Sequence, residues 1–409
     1  MLPSTTAQYS RKDILMISVA ALGYFVDLYD MLIFSSERVE ALGSIGVAKQ
    51  KMGEVGLMLQ NYQMLGLVIG GFLFGILADK FGRLRVLFAS ILLYSVANIG
   101  NAFVTNVPAF AVARLIAGIG LAGELGVALS WISESLKPQQ RTIATTIVSA
   151  FGLLGGVVAA IMATHFHWQT SYMIGGIMGL VLLAFRVSLN ESKLFEQTRQ
   201  SSAKKGNLFQ LLSNKKQLKK FVLCVLSGAP AFVLLSIYVT LAPEFGAAFG
   251  ITEQISVAHG IMVFLIVFAM SDVACGLLSK IMRKRKTPLL IFACLQILSI
   301  GYYLLVPPQT VEAFYFRCML LGFSAGYWGI LITNSLEQFG TNIRATVATS
   351  TPSLIRGMTI PASIFFTVVS KQTSLVTAGA IVGFSLVAIS IVSILLLDDK
   401  FENDLNFME

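Results

Sequence analysis

The chain has 409 residues, 56% of them hydrophobic and 12% charged, with a mean hydropathy of +0.77. A soluble protein carries about 25% charged residues, so an ordinary water-soluble enzyme is excluded; at roughly 20 apolar residues per crossing, the length holds about twelve membrane spans. The net charge of +9 is better explained by the Lys and Arg that collect in cytoplasmic loops of membrane proteins than by nucleic-acid binding.

The chain opens on a polar, basic stretch, MLPSTTAQYSRK. The apolar run behind it is too long and too acid-bearing for a cleavable signal, so it is expected to remain as the first span. Apolar windows predict spans at 14–36, 55–78, 85–105, 108–135, 141–163 and 170–188, then at 219–243, 254–279, 287–306, 310–336, 343–370 and 375–396. Residues 189–218 form the one long polar loop. The expected fold is therefore all-α, twelve transmembrane helices in two bundles of six, with 1–188 as the first bundle, 189–218 as a cytoplasmic linker and 219–409 as the second. An even number of spans puts both termini on one side, which carries 23 of the 30 Lys and Arg, with four on the other side and three inside spans. That basic side is expected to be cytoplasmic, in a bacterial inner membrane.

The halves repeat. Arg114, Glu134 and Arg141 recur as Arg317, Glu337 and Arg344, each displaced by 203 residues, and Gly123 recurs as Gly326. After the second and eighth spans, Lys80, Arg83 and Arg85 recur as Lys280, Arg283 and Arg285 at a displacement of 200, with Ser279 where Asp79 would fall. Many carriers are built from two related halves with the site between them.

The segment after span 2, Gly75, Asp79, Gly82, Arg83 and Arg85 in GILADKFGRLR, resembles the GxxxDxxGRxR signature of the major facilitator superfamily. GYFVDLYDMLIF in span 1 and RLIAGIGLAGELGVALSWISE in span 4 resemble its metabolite-proton and phosphate-proton symporters, and Arg141 opens span 5 as in those and in sugar porters. Ala122 departs from the pattern, standing where glycine is expected. The resemblance implies two six-helix bundles rocking about a central cavity. It also assigns Gly75, Asp79, Gly82, Arg83, Arg85, Glu134 and Arg141, with Arg283, Glu337 and Arg344 in the second half, to a cytoplasmic gate; the second gate, lacking an Asp79 equivalent, should be the weaker.

Read from the residues alone, the informative groups are charges inside spans. Such a charge costs at least about 2.5 kcal/mol near a helix centre and usually faces a cavity or a partner. Asp27, Asp30, Arg114, Glu124 and Arg356 qualify. At about 1.5 Å per residue, Asp27, Arg114 and Arg356 reach similar depth. Asp27 and Asp30, spaced i and i+3, share a helix face, and two close carboxylates repel in a way that an approaching arginine can reverse. They are the expected proton-coupling groups, with Arg114 discharging them and Glu124 either a second proton site or a structural acid. The alternative is a permanent Asp27–Arg114 ion pair. Arg356, between Pro352 and Pro361, could hold a substrate anion with its planar fork or pair with Asp27 or Glu124. Asn61, Tyr62 and Gln63 in span 2, His259 in span 8, and Tyr327 and Trp328 in span 10 complete the candidate substrate groups.

Other signals carry less. Gly118, Gly120 and Gly123 spell GxGxxG, but with no preceding strand they read as helix packing. GLLGG in span 5 lacks the proline of drug-proton antiporters. His165 and His167 read as a solvated loop, the four cysteines as packing residues, and KKQLKK at 215–220 as a contact with anionic lipid. No metal or cofactor site and no catalytic set is indicated. The expected function is proton-coupled symport of a small polar organic metabolite, expected to be anionic, by a monomer in the lipid bilayer. The alternatives are a proton-coupled exporter of a siderophore-like or drug-like compound, or a non-transporting nutrient receptor.

Overall fold

The computed structural model describes residues 10–81, 83–136, 138–186, 214–339, 341–399 and 401. Six helices make up the first half: α1 (Arg11–Ser44), α2 (Met52–Phe81), α3 (Arg83–Asn101), α4 (Val107–Ser135), α5 (Pro138–His165) and α6 (Trp168–Arg186). α1 starts in a capping box in which the Ser10 side chain accepts from the Asp13 amide and Asp13 accepts from the Ser10 amide, satisfying two amides that a helix start leaves without partners. The second half has α7 (Lys215–Ser227), α8 (Ala229–Val233), α9 (Ala242–Ala248), α10 (Val257–Met282), α11 (Lys286–Leu305), α12 (Val311–Ala325), α13 (Trp328–Glu337), α14 (Thr341–Gly357), α15 (Thr359–Gln372) and α16 (Leu375–Leu396). Among the described residues, eleven helices are long and apolar enough to cross a membrane, and a shorter apolar one covers Arg85–Asn101. The protein is a multi-pass membrane protein.

Three spans in the second half are interrupted, each for a local reason. Between α7 and α9 the chain passes Gly228 and Pro230 and then a π-helical turn, Leu234–Val239. Span 10 breaks at Gly326 and Tyr327, which leave helical geometry between α12 and α13. Span 11 runs through Pro352 and breaks at Met358, because Pro361 has no N–H for the carbonyl four residues earlier. Thr359 Oγ1 donates to the Arg356 carbonyl at 2.8 Å.

The first half is packed through glycines. A Cβ on Gly118 would meet the Gln63 carbonyl of α2 at 2.1 Å, one on Gly120 the Tyr94 amide of α3 at 2.6 Å, and one on Gly123 the Ser90 side chain at 2.8 Å. The GxGxxG stretch is thus a helix-crossing surface. Gly155 of the GLLGG run does the same for α5 against α1, where a Cβ would lie 1.9 Å from the Phe25 carbonyl. The halves meet where α2 and α4 pack on α14, and α1 and α5 on α10. Cys224, Cys275 and Cys318 are buried and Cys294 exposed, all as free thiols.

Close backbone approach predicts a sharp contrast. Gly118→Val should lower the thermal midpoint of the purified protein by several degrees, since overpacking a crossing costs about 1–3 kcal/mol. Gly276→Ala, where nothing lies within 4 Å, should leave the melting curve in place.

Candidate functional site

α1 carries the centre of the site. Asp27 and Asp30 are buried at 0% and 1% exposure, one turn apart, but they face different neighbours. Arg356 of α14 brings Nη1 to 3.6 Å from Asp27 Oδ2 and donates from Nη2 to the Tyr24 hydroxyl at 3.4 Å. Its guanidinium lies over the rings of Phe232 at 5.3 Å and Trp328 at 5.9 Å. Asp30 is directed instead toward α6, where a Cβ on Gly175 would come within 2.5 Å of Oδ1. Among the described residues, no oxygen of either carboxylate takes a hydrogen bond.

Arg114 of α4 is fully buried. It donates to Gln63 Oε1 and to the Tyr172 hydroxyl, and its guanidinium sits 5.0 Å from the Phe34 ring. The aspartate its charge acts on is Asp30. The geometry therefore departs from the alternative of a permanent Asp27–Arg114 pair and matches the other pairing considered, in which the cation beside Asp27 is Arg356, from the other half. Glu124 is fully buried on α4, within electrostatic reach of Asp27.

Beside this cluster lies a small apolar cavity between the halves, lined by Tyr24, Leu28 and Met31 of the first and by Phe232, Phe264, Phe268 and Trp328 of the second. Phe232 and Trp328 meet edge to face at 5.0 Å. Of the candidate substrate groups, Trp328 reaches this wall. Asn61 instead accepts from Ser363 Oγ at 2.8 Å, linking α2 to α15. Tyr327 is buried, with its hydroxyl accepting from Gln296 Nε2 at 3.5 Å. Two expectations are corrected. Tyr62 lies on the exposed apolar stripe of α2 with Met58, Leu65, Ile69, Leu73 and Ile76, and His259 is exposed on the first turn of α10, with its ring 4.4 Å from that of Tyr315.

Above the cavity, at the end of the bundle where α1 finishes, the halves are clasped. Arg38 is buried at 0% exposure. It donates to both carboxylate oxygens of Glu244 at 2.7 and 2.8 Å and to the carbonyls of Met52 and Thr240 at 3.0 Å each. Gly56 gives it room, since a Cβ there would be 2.4 Å from Arg38 Cδ. Ser236 Oγ donates to Gln60 at 3.1 Å and Lys371 to Glu54 at 2.7 Å across the same junction. Buried Glu37 accepts from Ser171 Oγ at 2.7 Å. His167, in the exposed turn before α6, meets Glu40 at 2.9 Å. Neither Arg38 nor Glu37 stood out in the sequence, because both lie just past the predicted span end at 36, where charge is ordinary; α1 runs on to Ser44, about two further turns, and both are buried.

Of the expected gate, Gly82 and the side chains of Asp79, Arg83, Glu134, Arg141 and Arg344 lie outside the described residues; Arg85 is exposed. In the second half the arginine on Glu337 is Arg285, which donates to both oxygens at 3.0 and 2.8 Å and also to Ser279, the residue replacing the acid. Arg283, expected in the same gate, is the left-handed C-cap of α10 with φ 49°. Arg317, the repeat mate of Arg114, spends its donors on the Ala313 and Val306 carbonyls.

The profile of the Major Facilitator Superfamily matches residues 20–351, and the chain belongs to this family of membrane transporters. A niacin transporter of Acinetobacter baylyi is 24% identical over 364 residues, covering 81% of each chain. A 3-(3-hydroxy-phenyl)propionate transporter of Escherichia coli is 28% identical over 213 residues, 50% of this chain and 52% of the relative. The crystal structure of a D-xylose-proton symporter shares the fold with a TM-score of 0.72 at 16% identity, covering 97% of this chain and 100% of that one.

If the clasp holds this end shut, Glu244→Ala should open it. In a cysteine-free background carrying Gln60→Cys, labelling by a membrane-impermeant maleimide should accelerate several-fold when Glu244→Ala is added. An unchanged labelling rate would show that the pair is not what closes the junction.

Proposed function

We propose that the protein is a proton-coupled symporter of a small organic anion, in which Asp27 and a substrate carboxylate compete for Arg356. The supporting observation is the 3.6 Å ion pair between α1 and α14 at the edge of an aromatic-walled cavity. A buried cation needs a counter-charge. When a carboxylate arrives to fill that role through the bidentate geometry arginine favours, Asp27 is left as an isolated charge in apolar surroundings, which is relieved by taking up a proton. Anion and proton then bind together, and the loaded site carries no more charge than the empty one. Asp30, Arg114 and Glu124 extend the buried charged cluster, with Gln63 and Tyr172 holding Arg114 in place.

The wall suggests the rest of the substrate. Phe232, Phe264 and Phe268 offer ring faces and edges without hydrogen-bonding groups, and Trp328 adds a further ring with a single N–H donor, so the body of the anion is largely apolar and suited to stacking. The relatives named for niacin and for 3-(3-hydroxy-phenyl)propionate are named for compounds with a ring and a carboxylate, which supports this class.

Cycle and orientation follow from the same frame. Both termini and the 189–218 linker between the halves 1–188 and 219–409 face the cytoplasm of a bacterial cell, by the distribution of Lys and Arg. The Arg38–Glu244 end is then external, and the monomer is closed to the outside. Gly75, Asp79, Gly82, Arg83, Arg85, Glu134 and Arg141 form the opposing gate, closing when the external clasp opens.

The test is uptake into proteoliposomes of the carboxylate that gives the largest thermal shift in a screen of organic acids, sugars and amino acids. Asp27→Asn should abolish uptake driven uphill by an inward proton gradient while sparing counterflow exchange. Arg356→Lys should raise KM about tenfold or more, the cost of one charge-assisted contact. Full gradient-driven accumulation by Asp27→Asn, or an unchanged KM in Arg356→Lys, would contradict the proposal.

A further inference from the structure

Span 10 is broken in the middle of the protein, and a broken helix leaves carbonyls on one side and amides on the other without partners. Inside a membrane these must be satisfied by protein. Two adjacent side chains of α10 serve the two sides. Ser271 Oγ donates to the Phe323 carbonyl of α12 at 2.6 Å, and Asp272 Oδ1 accepts from the Gly329 amide of α13 at 2.9 Å. The contact is close enough to require glycine, since a Cβ on Gly326 would lie 2.4 Å from Ser271 Cβ and 2.8 Å from the Asp272 amide.

The first half supplies an internal control. Gly123, the repeat mate of Gly326, lies within α4, which runs unbroken over Val107–Ser135. At the displacement of 200 that relates α2 to α10, the positions of Ser271 and Asp272 hold Gly71 and Phe72, which have no side-chain oxygen. The break and the two residues that satisfy it occur together in one half and are absent together from the other. A carboxylate at this depth is otherwise costly, and a helix start compensates it through its amides and dipole.

The first residue of α13 after the break is Trp328, whose ring packs on Phe232 and lies 5.9 Å from the Arg356 guanidinium. We infer that Asp272 is a positioning residue: by holding the start of α13 it fixes where Trp328 stands in the cavity wall, and so the fit of the substrate's apolar body. This rests on the reading of the cavity as the substrate site.

The test uses the full chain with Trp131→Phe and Trp168→Phe, which leaves Trp328 as the sole tryptophan. Asp272→Ala should shift Trp328 emission to the red, increase its quenching by iodide, and raise KM about tenfold with little change in the maximal rate. Asp272→Asn should preserve both, because the amide oxygen still accepts from Gly329. Asp272→Glu keeps the charge but displaces the acceptor, and should move the emission; with Asp272→Asn it decides the matter if the alanine variant does not accumulate. Unchanged emission in the alanine and glutamate variants would overturn the inference. So would an asparagine variant as impaired as alanine, which would mean that charge rather than the accepting oxygen matters. A moved Trp328 with unchanged KM would uphold the positioning role and count against the cavity as the substrate's site.

Discussion

The pairing of Asp27 with Arg356 is the contact on which the rest depends. It is buried on both sides, it joins the two halves, and the carboxylate oxygens have no hydrogen bond from any described residue. Removing either partner from such a pair strands the other charge, which costs about 3–5 kcal/mol, whereas exchanging one anion for another costs far less. A site that trades its internal anion for an external one can therefore respond to substrate without ever exposing a bare charge. Aromatic faces around Arg356 add attraction that does not depend on which anion is present.

The two halves contribute differently. In the first, glycine crossings bring α2, α3 and α4 to backbone contact, and α1 to α5; dense packing of that kind transmits force rather than bending. In the second, spans 7, 10 and 11 are each interrupted, by a glycine, proline and π-turn, by Gly326 and Tyr327, and by Pro361. Arg356 precedes one break by two residues and Trp328 follows another, so the groups that would touch substrate sit where the backbone departs from regular helix. A rigid half bearing the acids against a segmented half bearing Arg356 and the rings suits alternating access, in which few elements absorb the change.

Much of this was legible in the sequence, and the reasons for the remainder are physical. Span positions follow from the cost of polar groups in hydrocarbon, and the repeat from charges at fixed spacing. The buried status of Asp27, Asp30, Arg114, Glu124 and Arg356 follows from the same cost. Which acid meets which base is only narrowed, because depth along a helix says nothing of rotation about it: Arg114 and Arg356 both share the level of Asp27, and rotation makes Arg356 the neighbour. Rotation also separates Tyr62, on the exposed stripe, from Gln63, one residue on and beside Arg114. His259 was misplaced because α10 starts at Val257, which leaves the ring on the first turn. Asp272 escaped notice although it lies within a predicted span; its meaning depends on a break in another helix, which Gly326 alone does not reveal.

The most direct measurement is of proton movement on binding. In weakly buffered detergent solution, saturating the purified protein with its best-bound carboxylate should draw about one proton from solution per molecule bound, and Asp27→Asn should bind the same compound with no proton uptake. Binding without proton movement in the native protein, or identical uptake in Asp27→Asn, would contradict exchange at Arg356.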